Sequence, residues 1–276
     1  MNELDNKKIS FIGGGNMAQA LINGLLACGV NPALITVSAP SAATRDIFTA
    51  QQINTVDASI EPKAAVIDAD VVILAVKPQM MKAVVSEFAD ALDKQLVMSV
   101  AAGLSTDALS QMLGGYSNIV RAMPNTPSNI QMGATGLYAA ESISSADKQL
   151  AAAVMAASGL VMWVTEEAHM HAVTAVAGSA PAYVFYFIES MVDGAVALGL
   201  DKEQATALAM QTVLGAATMA KGSQDSPAEL RRKVTSPKGT THAAIVSMQD
   251  NQIGQHIADA MQACYDRSQA ISAEIK

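Results

Sequence analysis

Charged and aromatic side chains are scarce in this chain, and cysteine is almost absent. Of 276 residues, 15% are Asp, Glu, Lys or Arg, 4% are aromatic, and two are Cys. Cys28 and Cys264 lie far apart and lack a metal-ligand spacing, so we predict neither a disulfide framework nor a metal site; a reducing cytoplasm fits. The net charge of −8 argues against nucleic-acid binding, which needs a cationic face.

Long apolar runs and a secretion signal are also missing. Residues 1–8 lack the apolar stretch of a signal peptide. Residues 149–165 and 172–188 carry no charge, but both segments are shorter than the roughly 20 residues that a membrane span needs. We therefore expect both to be buried segments of a cytoplasmic protein that does not bind a membrane.

What the chain has is an apolar content of 51%, arranged first as an α/β pattern and then as helices. Strands are predicted over residues 8–12, 34–37, 71–75, 96–100, 119–123, 135–139 and 160–164, with helices over 41–51, 79–92 and 146–157. Helices alone follow, over 182–198, 201–221, 240–248 and 253–276, with 222–239 as a connecting segment. This predicts an N-terminal Rossmann-type domain, residues 1–165, and an all-α dimerisation domain, residues 166–276. We expect the apolar helices of the second domain to be buried against a second copy of the chain in a homodimer.

A glycine-rich turn follows the first predicted strand. Gly13, Gly15 and Ala18 match the G-x-G-x-x-G/A fingerprint of dinucleotide-binding folds. Gly13 permits a tight turn, Gly15 lets a pyrophosphate approach the backbone, and Ala18 lets the helix pack closely on the strand. The helix N-terminus offers N–H groups to the phosphates. The pattern predicts a dinucleotide site, the alternative being a glycine-rich turn of purely structural use.

The second predicted strand runs into Ser38 and lacks the acid that holds the ribose 2′-OH of NAD. A 2′-phosphate is therefore tolerated, and Ser38, Ser41, Thr44 and Arg45 are candidates to bind it. This favours NADPH as cofactor, with NADH possible. The alternative is that Ser41 only caps the next helix and that Arg45 is a solvated helix residue.

Four further segments accompany the fingerprint: residues 75–78 (AVKP), 121–127 (RAMPNTP), 178–183 (GSAPAY) and 235–241 (TSPKGTT). In this order and at these distances the motifs resemble those of pyrroline-5-carboxylate reductases over nearly the whole chain. The resemblance implies NAD(P)H-dependent reduction of Δ1-pyrroline-5-carboxylate to L-proline, the last step of proline synthesis. It also implies a helical domain that interlocks in a homodimer, and dimers that in some members assemble into a larger ring such as a decamer.

The fingerprint and the resemblance together give a set of cofactor-binding residues. The set comprises Ile12, Gly13, Gly14, Gly15, Asn16, Met17, Ser38, Arg45, Ala75, Val76, Lys77, Pro78, Val100, Ala101, Ala102 and Asn125. Several of these follow predicted strands, where open α/β sheets bind ligands. Two alternatives stay open: Lys77 as a surface lysine before a rigid proline, and Arg121, which lies outside the set, as a structural ion-pair partner.

The resemblance also implies where the substrate binds. Its carboxylate sits on Ser236 and on the backbone of Thr240 and Thr241, at a helix N-terminus that suits an anion. The Thr241 hydroxyl faces the ring nitrogen and is the predicted catalytic group. The alternative is that these hydroxyls only cap the helix.

Two more substrate residues come from the resemblance, and the chain departs from the family pattern at Lys238 and at Pro62, near where relatives often carry an Asn that touches the cofactor. Ser179 lies in a shared motif, and Glu167 matches a carboxylate near the substrate amine, although it also suits a helix start. Where relatives have Gly-Gly, this chain has Lys238 before Gly239. A side chain there disfavours a positive φ, so we expect the loop to differ locally.

Two other functions are compatible with this layout. β-Hydroxyacid dehydrogenases place a catalytic Lys on the first long helix of the second domain, and residues 178–189 contain none. A non-enzymatic NADP-binding sensor would keep the glycines but has no use for the 236–241 loop. Both therefore explain less of the sequence than a reductase does.

Overall fold

A mostly parallel sheet of eight strands forms the centre of the first part of the protein in the computed structural model, which describes residues 3–274. The strands are β1 (Ile9–Ile12), β2 (Ile35–Ala39), β3 (Asn54–Asp57), β4 (Val71–Leu74), β5 (Leu96–Ser99), β6 (Ile119–Met123), β7 (Gly133–Ala139) and β8 (Gly159–Trp163). Their order is β3-β2-β1-β4-β5-β6-β7-β8, and of the neighbours only β6 and β7 run antiparallel. The predicted Rossmann-type α/β fold is confirmed.

Helices pack on both faces of this sheet. They are α1 (Asn16–Ala27), α2 (Ala42–Thr49), α3 (Pro78–Ser86), α4 (Thr106–Met112) and α5 (Ser145–Ala156). Along β4, Val71 and Ile73 belong to the core cluster that contains α1 and α5, whereas Val72 and Leu74 belong to the cluster that contains α3 and α4. A continuously apolar strand covered on both faces is typical of a parallel sheet.

Strand β3 and helix α3 differ from the prediction. Strand β3 was not predicted, because Asn54 and Asp57 give it little apolar character and it is an edge strand of the sheet. Helix α3 ends at Ser86 rather than extending to residue 92. Phe88 leaves helical geometry with φ of −137° and buries its ring, after which a short 3-10 turn, Ala89–Ala91, follows.

The rest of the chain is helical, as predicted. After α6 (His169–Val173) and a π-turn, Thr174–Gly178, it forms α7 (Ala180–Ala197), α8 (Lys202–Gly222), α9 (Pro227–Lys233), α10 (Thr240–Asp250) and α11 (Ile253–Glu274). Helix α9 corrects the expectation that residues 222–239 are only a connection. Ser226 caps it by accepting a hydrogen bond from the N–H of Glu229 at 3.2 Å, and Pro227 occupies its first position.

The described residues divide into two compact units. One comprises residues 3–179 together with 264–274, and the other is Ala180–Ala263. The division lies beyond the predicted boundary at residue 165, because α6 and the end of α11 pack within the first unit. Met170 of α6 is fully buried, and an added Cβ at Gly103, after β5, would lie 2.7 Å from Ile271 of α11.

The second unit leaves much apolar surface uncovered, so the prediction that residues 172–188 are buried is wrong for the single chain. Phe185, Tyr186 and Phe187 are 64%, 71% and 47% exposed. By length and composition alone, the combined helical run His169–Ala197 is long and apolar enough to cross a membrane. Only 6% of its most apolar stretch is buried within the described structure. An exposed apolar face of this size calls for another surface to cover it.

Candidate active site

The turn between β1 and α1 is built around Gly13. This residue has a φ of +105°, its N–H donates to the carbonyl of Ser38 at 2.9 Å, and an added Cβ would lie 2.7 Å from the carbonyl oxygen of Ala75. Only glycine fits such a position without strain. At Gly15, by contrast, an added Cβ would have no atom of the described part of the chain within 4 Å other than those of the two adjacent residues. The turn is therefore tightly packed at Gly13 and open at Gly15.

Helix α1 begins at this open space, where its first backbone N–H groups can donate to a ligand. Gly15 is its N-cap residue, and within residues 3–274 no side chain caps the helix. The first N–H groups of a helix lack intrahelical partners, so those of Asn16 and Met17 are available to an anion there. Ala18 is fully buried, in agreement with the close packing predicted for it.

A cavity of about 240 Å³ lies beside this turn, at the carboxyl ends of β1, β2 and β4. From the predicted cofactor set, Ile12, Gly13, Ser38 and Val76 line it. Apolar side chains complete much of the wall, among them Pro40, Pro62, Met80 and Val84. A cleft with mostly apolar walls and few polar groups suits a flat heteroaromatic ring.

The ends of β4 and β5 carry the other predicted cofactor residues of the sheet: Ala75, Val76, Lys77, Pro78, Val100, Ala101 and Ala102. The N–H of Ala75 donates to the carbonyl of Ile12 at 2.8 Å, and that of Val100 donates to Leu74 at 3.2 Å. Lys77 is exposed at the N-cap of α3. Because β1, β4 and β5 are parallel, these residues lie at one edge of the sheet, where such folds bind ligands.

Arg45 is not a solvated helix residue, so that alternative is wrong. Its Nη1 donates to the carbonyls of Ala39 at 2.7 Å and Pro40 at 2.8 Å, and its Nη2 lies 2.8 Å from Oδ2 of Asp57. Ser41 occupies the N-cap position of α2, but its hydroxyl makes no capping hydrogen bond among the described residues. The guanidinium therefore lies next to the cavity and is already paired with a carboxylate, a pairing that sequence reasoning missed.

Asn125 connects three parts of the first unit. Its Nδ2 donates to the carbonyl of Ala177 at 3.1 Å, and its Oδ1 accepts from the N–H of Ala134 at 2.9 Å. The residue is 8% exposed. The side chain fixes the loop after β6 against β7 and the π-turn, and its contact with a nicotinamide ring stays a prediction.

Glu167 is held by two residues of the first unit. Its Oε1 accepts from the N–H of Thr106 at 2.7 Å and from Nη1 of Arg121 at 3.2 Å, and its Oε2 accepts from the Thr106 hydroxyl at 2.9 Å. Arg121 is 3% exposed; burial lowers the pKa of its guanidinium, and the charge of Glu167 opposes that shift. The interpretation of Arg121 as an ion-pair partner is confirmed. Glu167 does bind the start of a helix, as its alternative interpretation has it. The helix is α4, however, whose first residue is Thr106.

Ser179 directly follows the π-turn. Its N–H donates to the carbonyl of Thr174 at 2.8 Å, and its hydroxyl accepts a hydrogen bond from Sγ of Cys264 at 3.3 Å. Local π-geometry is frequent at functional sites. Its contact with the substrate stays a prediction. Cys264 and Cys28 are both free thiols.

The second unit contains the loop predicted to bind the substrate carboxylate. Thr240 and Thr241 are the first two residues of α10 and Gly239 is its N-cap; no side chain in the described ranges caps this helix. The alternative that the nearby hydroxyls only cap α10 is therefore wrong. Ser236, Thr240 and Thr241 are exposed, so this helix start has free donors and three accessible hydroxyls.

The residues between Ser236 and α10 adopt a tight turn. The N–H of Gly239 donates to the carbonyl of Ser236 at 3.1 Å, and an added Cβ at Gly239 would overlap the Ser236 hydroxyl. Lys238 has a φ of +60°. The lysine thus adopts a positive φ at a position where the family pattern has glycine. This conformation is strained for a residue that carries a Cβ.

Comparison with known proteins decides the family. Residues 167–271 match the family model described as pyrroline-5-carboxylate reductase dimerisation, and residues 8–103 match that described as NADP oxidoreductase, coenzyme F420-dependent. Over 274 residues the chain is 45% identical to the pyrroline-5-carboxylate reductase of Pseudomonas aeruginosa, with 99% of each chain covered. The chain belongs to the pyrroline-5-carboxylate reductase family.

Solved structures of other pyrroline-5-carboxylate reductases share the whole fold. The enzyme from Coxiella burnetii matches with a TM-score of 0.92 at 41% identity, covering 97% of this chain and 99% of the other. The Plasmodium falciparum pyrroline carboxylate reductase, solved with NADP bound, matches with a TM-score of 0.84 at 28% identity, covering 97% and 98%. As a member of this family the chain is an oxidoreductase that reduces pyrroline-5-carboxylate with NAD(P)H in proline biosynthesis, as the resemblance implied.

In this reductase, Glu167→Gln is expected to lower the free energy of unfolding by about 2 kcal/mol, because Arg121 stays buried without its counter-charge. Urea unfolding measures the change. The control is Glu166→Gln, because Glu166 is an exposed acid that directly precedes Glu167. Equal stability of the two variants would contradict a structural role for the ion pair. The kcat/KM of Glu167→Gln separately tests the predicted contact with the substrate.

Lys238→Gly in the reductase is expected to raise the free energy of unfolding by about 1 kcal/mol, since glycine adopts a positive φ without the steric cost that lysine carries. Urea unfolding again gives the value. Lys202→Gly, at the first position of α8, is the matched control and should lower stability. A loss of stability in Lys238→Gly would show that the turn does not strain the lysine.

Proposed function

We propose that this chain reduces Δ1-pyrroline-5-carboxylate to L-proline with the substrate carboxylate bound at the start of α10. The observation that carries the proposal is that no side chain within residues 3–274 caps the start of α10, which lies beside an exposed Ser236. Backbone N–H groups of Thr240 and Thr241 and the positive end of the helix dipole favour an anion at this point. The carboxylate is the one permanent negative charge of the substrate, so this site fixes its orientation.

The first unit fits the dinucleotide NADPH. The open space at Gly15 and the free N–H groups of Asn16 and Met17 suit the pyrophosphate, and the apolar cavity beside Ser38 suits the adenosine. When bound, the cofactor supplies a hydride. NADP in the Plasmodium falciparum relative supports NADPH as the cofactor of this chain, with NADH as the alternative. A cytoplasmic location agrees with this biosynthetic role and stays a prediction.

Thr241 is proposed to orient the substrate ring. A protonated cyclic imine is already an electrophile, so the protein has to position it and exclude water rather than activate it. The Thr241 hydroxyl, at the second position of α10 and exposed, can form a hydrogen bond to the ring nitrogen while the carboxylate is held at the helix start. Its task is to fix the angle of the ring.

The test is NADPH oxidation by the purified protein with racemic pyrroline-5-carboxylate, repeated with NADH. Rapid, substrate-dependent loss of absorbance with NADPH would support the proposal, and the ratio of rates gives the cofactor preference. A β-hydroxyacid with NADP⁺ serves as the control substrate, for which no turnover is expected. Binding of NADPH without turnover of pyrroline-5-carboxylate would contradict the proposal and favour a sensor.

We also propose that the second unit forms a homodimer. The match to the dimerisation family and the exposure of Phe185, Tyr186 and Leu198 (64%, 71% and 89%) support it. Light scattering at micromolar concentration is expected to give at least twice the 28.6 kDa chain mass, with a decamer as a larger possible assembly. Tyr186→Glu should weaken assembly, whereas Ile60→Glu, at a 76% exposed position of the first unit, should not. A single-chain mass for the unmodified protein would contradict the proposal.

A further inference from the structure

The ion pair between Arg45 and Asp57 lies where dinucleotide-binding folds distinguish NADH from NADPH. NAD-specific folds place a carboxylate at the end of the second strand, where it binds the ribose 2′-OH. Strand β2 ends here at Ala39 without an acid. In the β2–β3 register, however, Ala39 pairs with Asp57, the last residue of β3. A carboxylate therefore reaches the same edge of the sheet from the neighbouring strand.

Asp57 is held in place through both of its carboxylate oxygens. Oδ2 lies 2.8 Å from Nη2 of Arg45, and Oδ1 accepts a hydrogen bond from the N–H of Ser59 at 3.0 Å. The side chains of Arg45 and Asp57 are 19% and 25% exposed. Two partly buried, hydrogen-bonded charges interact more strongly than an exposed pair on the surface does.

The pair borders the proposed adenosine cavity on two sides. Arg45 also donates to the carbonyl of Pro40, and Asp57 holds the N–H of Ser59; Pro40 and Ser59 both line the cavity. Lys63, which follows the cavity residue Pro62, lies 2.6 Å from Asp90 and is itself paired. A phosphate on the ribose would thus meet a guanidinium whose charge a fixed carboxylate already neutralises.

We propose that Asp57 weakens the binding of the NADPH 2′-phosphate by neutralising Arg45, and so sets the selectivity of this reductase between NADPH and NADH. The inference rests on the cofactor site of the proposed function. Selectivity is a difference between two affinities. The carboxylate repels the added phosphate charge of NADPH, whereas the 2′-OH of NADH carries no charge for it to repel. Both oxygens of Asp57 already have partners in Arg45 and Ser59.

The experiment compares Asp57→Asn with the unmodified protein. The dissociation constants of NADPH and NADH are measured through nicotinamide fluorescence, without substrate. Asparagine retains an oxygen for the Ser59 N–H but carries no charge. At low salt the NADPH constant is expected to fall roughly tenfold, with that of NADH unchanged. The gain should shrink as salt rises, because partly exposed charges are screened over about 10 Å at 0.1 M ionic strength.

Asp70→Asn is the matched control. Asp70 likewise uses one oxygen for a backbone N–H, that of Lys8 at 2.9 Å, and the other for a cation, Lys7 at 3.4 Å. It precedes β4 and so lies at the opposite end of the sheet from the cavity. Replacing it is expected to leave the ratio of the two dissociation constants unchanged.

An unchanged ratio in Asp57→Asn, or an equal loss of affinity for both cofactors, would overturn the inference, because the carboxylate would then only shape the loops. Binding is measured without turnover, so the two proposals fail separately. The expected shift in a protein that reduces no pyrroline-5-carboxylate would overturn the reaction alone. Full activity with an unchanged ratio would overturn the selectivity inference alone.

Discussion

Thr241→Ala is expected to lower kcat/KM for pyrroline-5-carboxylate by about 100-fold, because a ring held only by its carboxylate pivots away from the reacting geometry. The Kd of NADPH should not change, since the residues proposed to hold the cofactor lie in the first unit of the chain. Steady-state kinetics and nicotinamide fluorescence give the two numbers. The loss should fall on the chemical step rather than on cofactor affinity.

Thr240→Ala is the matched control for this prediction. The proposal uses the backbone N–H of Thr240 but not its hydroxyl, and the residue is exposed next to Thr241. Its replacement should change kcat/KM by no more than a few-fold. Equal activity of the two variants and the unmodified enzyme would remove the assigned role of the Thr241 hydroxyl.

Alanine is expected to lower the stability of the protein at Gly13 and its affinity for NADPH at Gly15. At Gly13 the methyl group would meet the carbonyl oxygen of Ala75 at 2.7 Å, in a backbone with φ of +105°. We expect Gly13→Ala to lose about 3 kcal/mol of unfolding free energy. Gly15 has an ordinary φ of −74° and open space around it, so Gly15→Ala should fold normally. Its methyl group would occupy the approach of the pyrophosphate and raise the Kd of NADPH about 30-fold.

Each of these variants is the control for the other. Urea unfolding should separate Gly13→Ala from the unmodified enzyme and leave Gly15→Ala unaffected, and fluorescence titration with NADPH should show the loss of affinity in Gly15→Ala. Unchanged affinity in Gly15→Ala would mean that no phosphate approaches the backbone at that glycine.

The fold could be predicted from local patterns because its central elements carry them. Val71–Leu74 is apolar on both faces of a parallel sheet, and the fingerprint glycines mark the turn where β1 passes into α1. Helix α9 could also have been predicted, because Ser226, Pro227 and Glu229 form a sequence typical of a helix start. Its last turn is basic, with Arg231 and Arg232, and so complements the helix dipole.

The pairings at the candidate site could not be predicted, because they join residues far apart in sequence. Nothing local at Thr106 indicates that both its N–H and its hydroxyl bind Glu167, and nothing near Arg45 indicates Asp57. Strand β3 is short, polar and at the edge of the sheet, so it lacks the alternation that identifies a strand. Such contacts follow from topology, which brings β2 and β3 side by side.

The exposed apolar surface of the second unit, which includes Phe185 of α7 and Leu198 just after it, is expected to make the lifetime of this protein depend on its abundance. Where assembly covers such a surface, the folded state gains stability by mass action, and dilution takes that stability away. A newly made chain that has not yet met another is the form most open to aggregation and proteolysis. A cell that makes little of this protein would thus lose more activity than the drop in copy number alone accounts for.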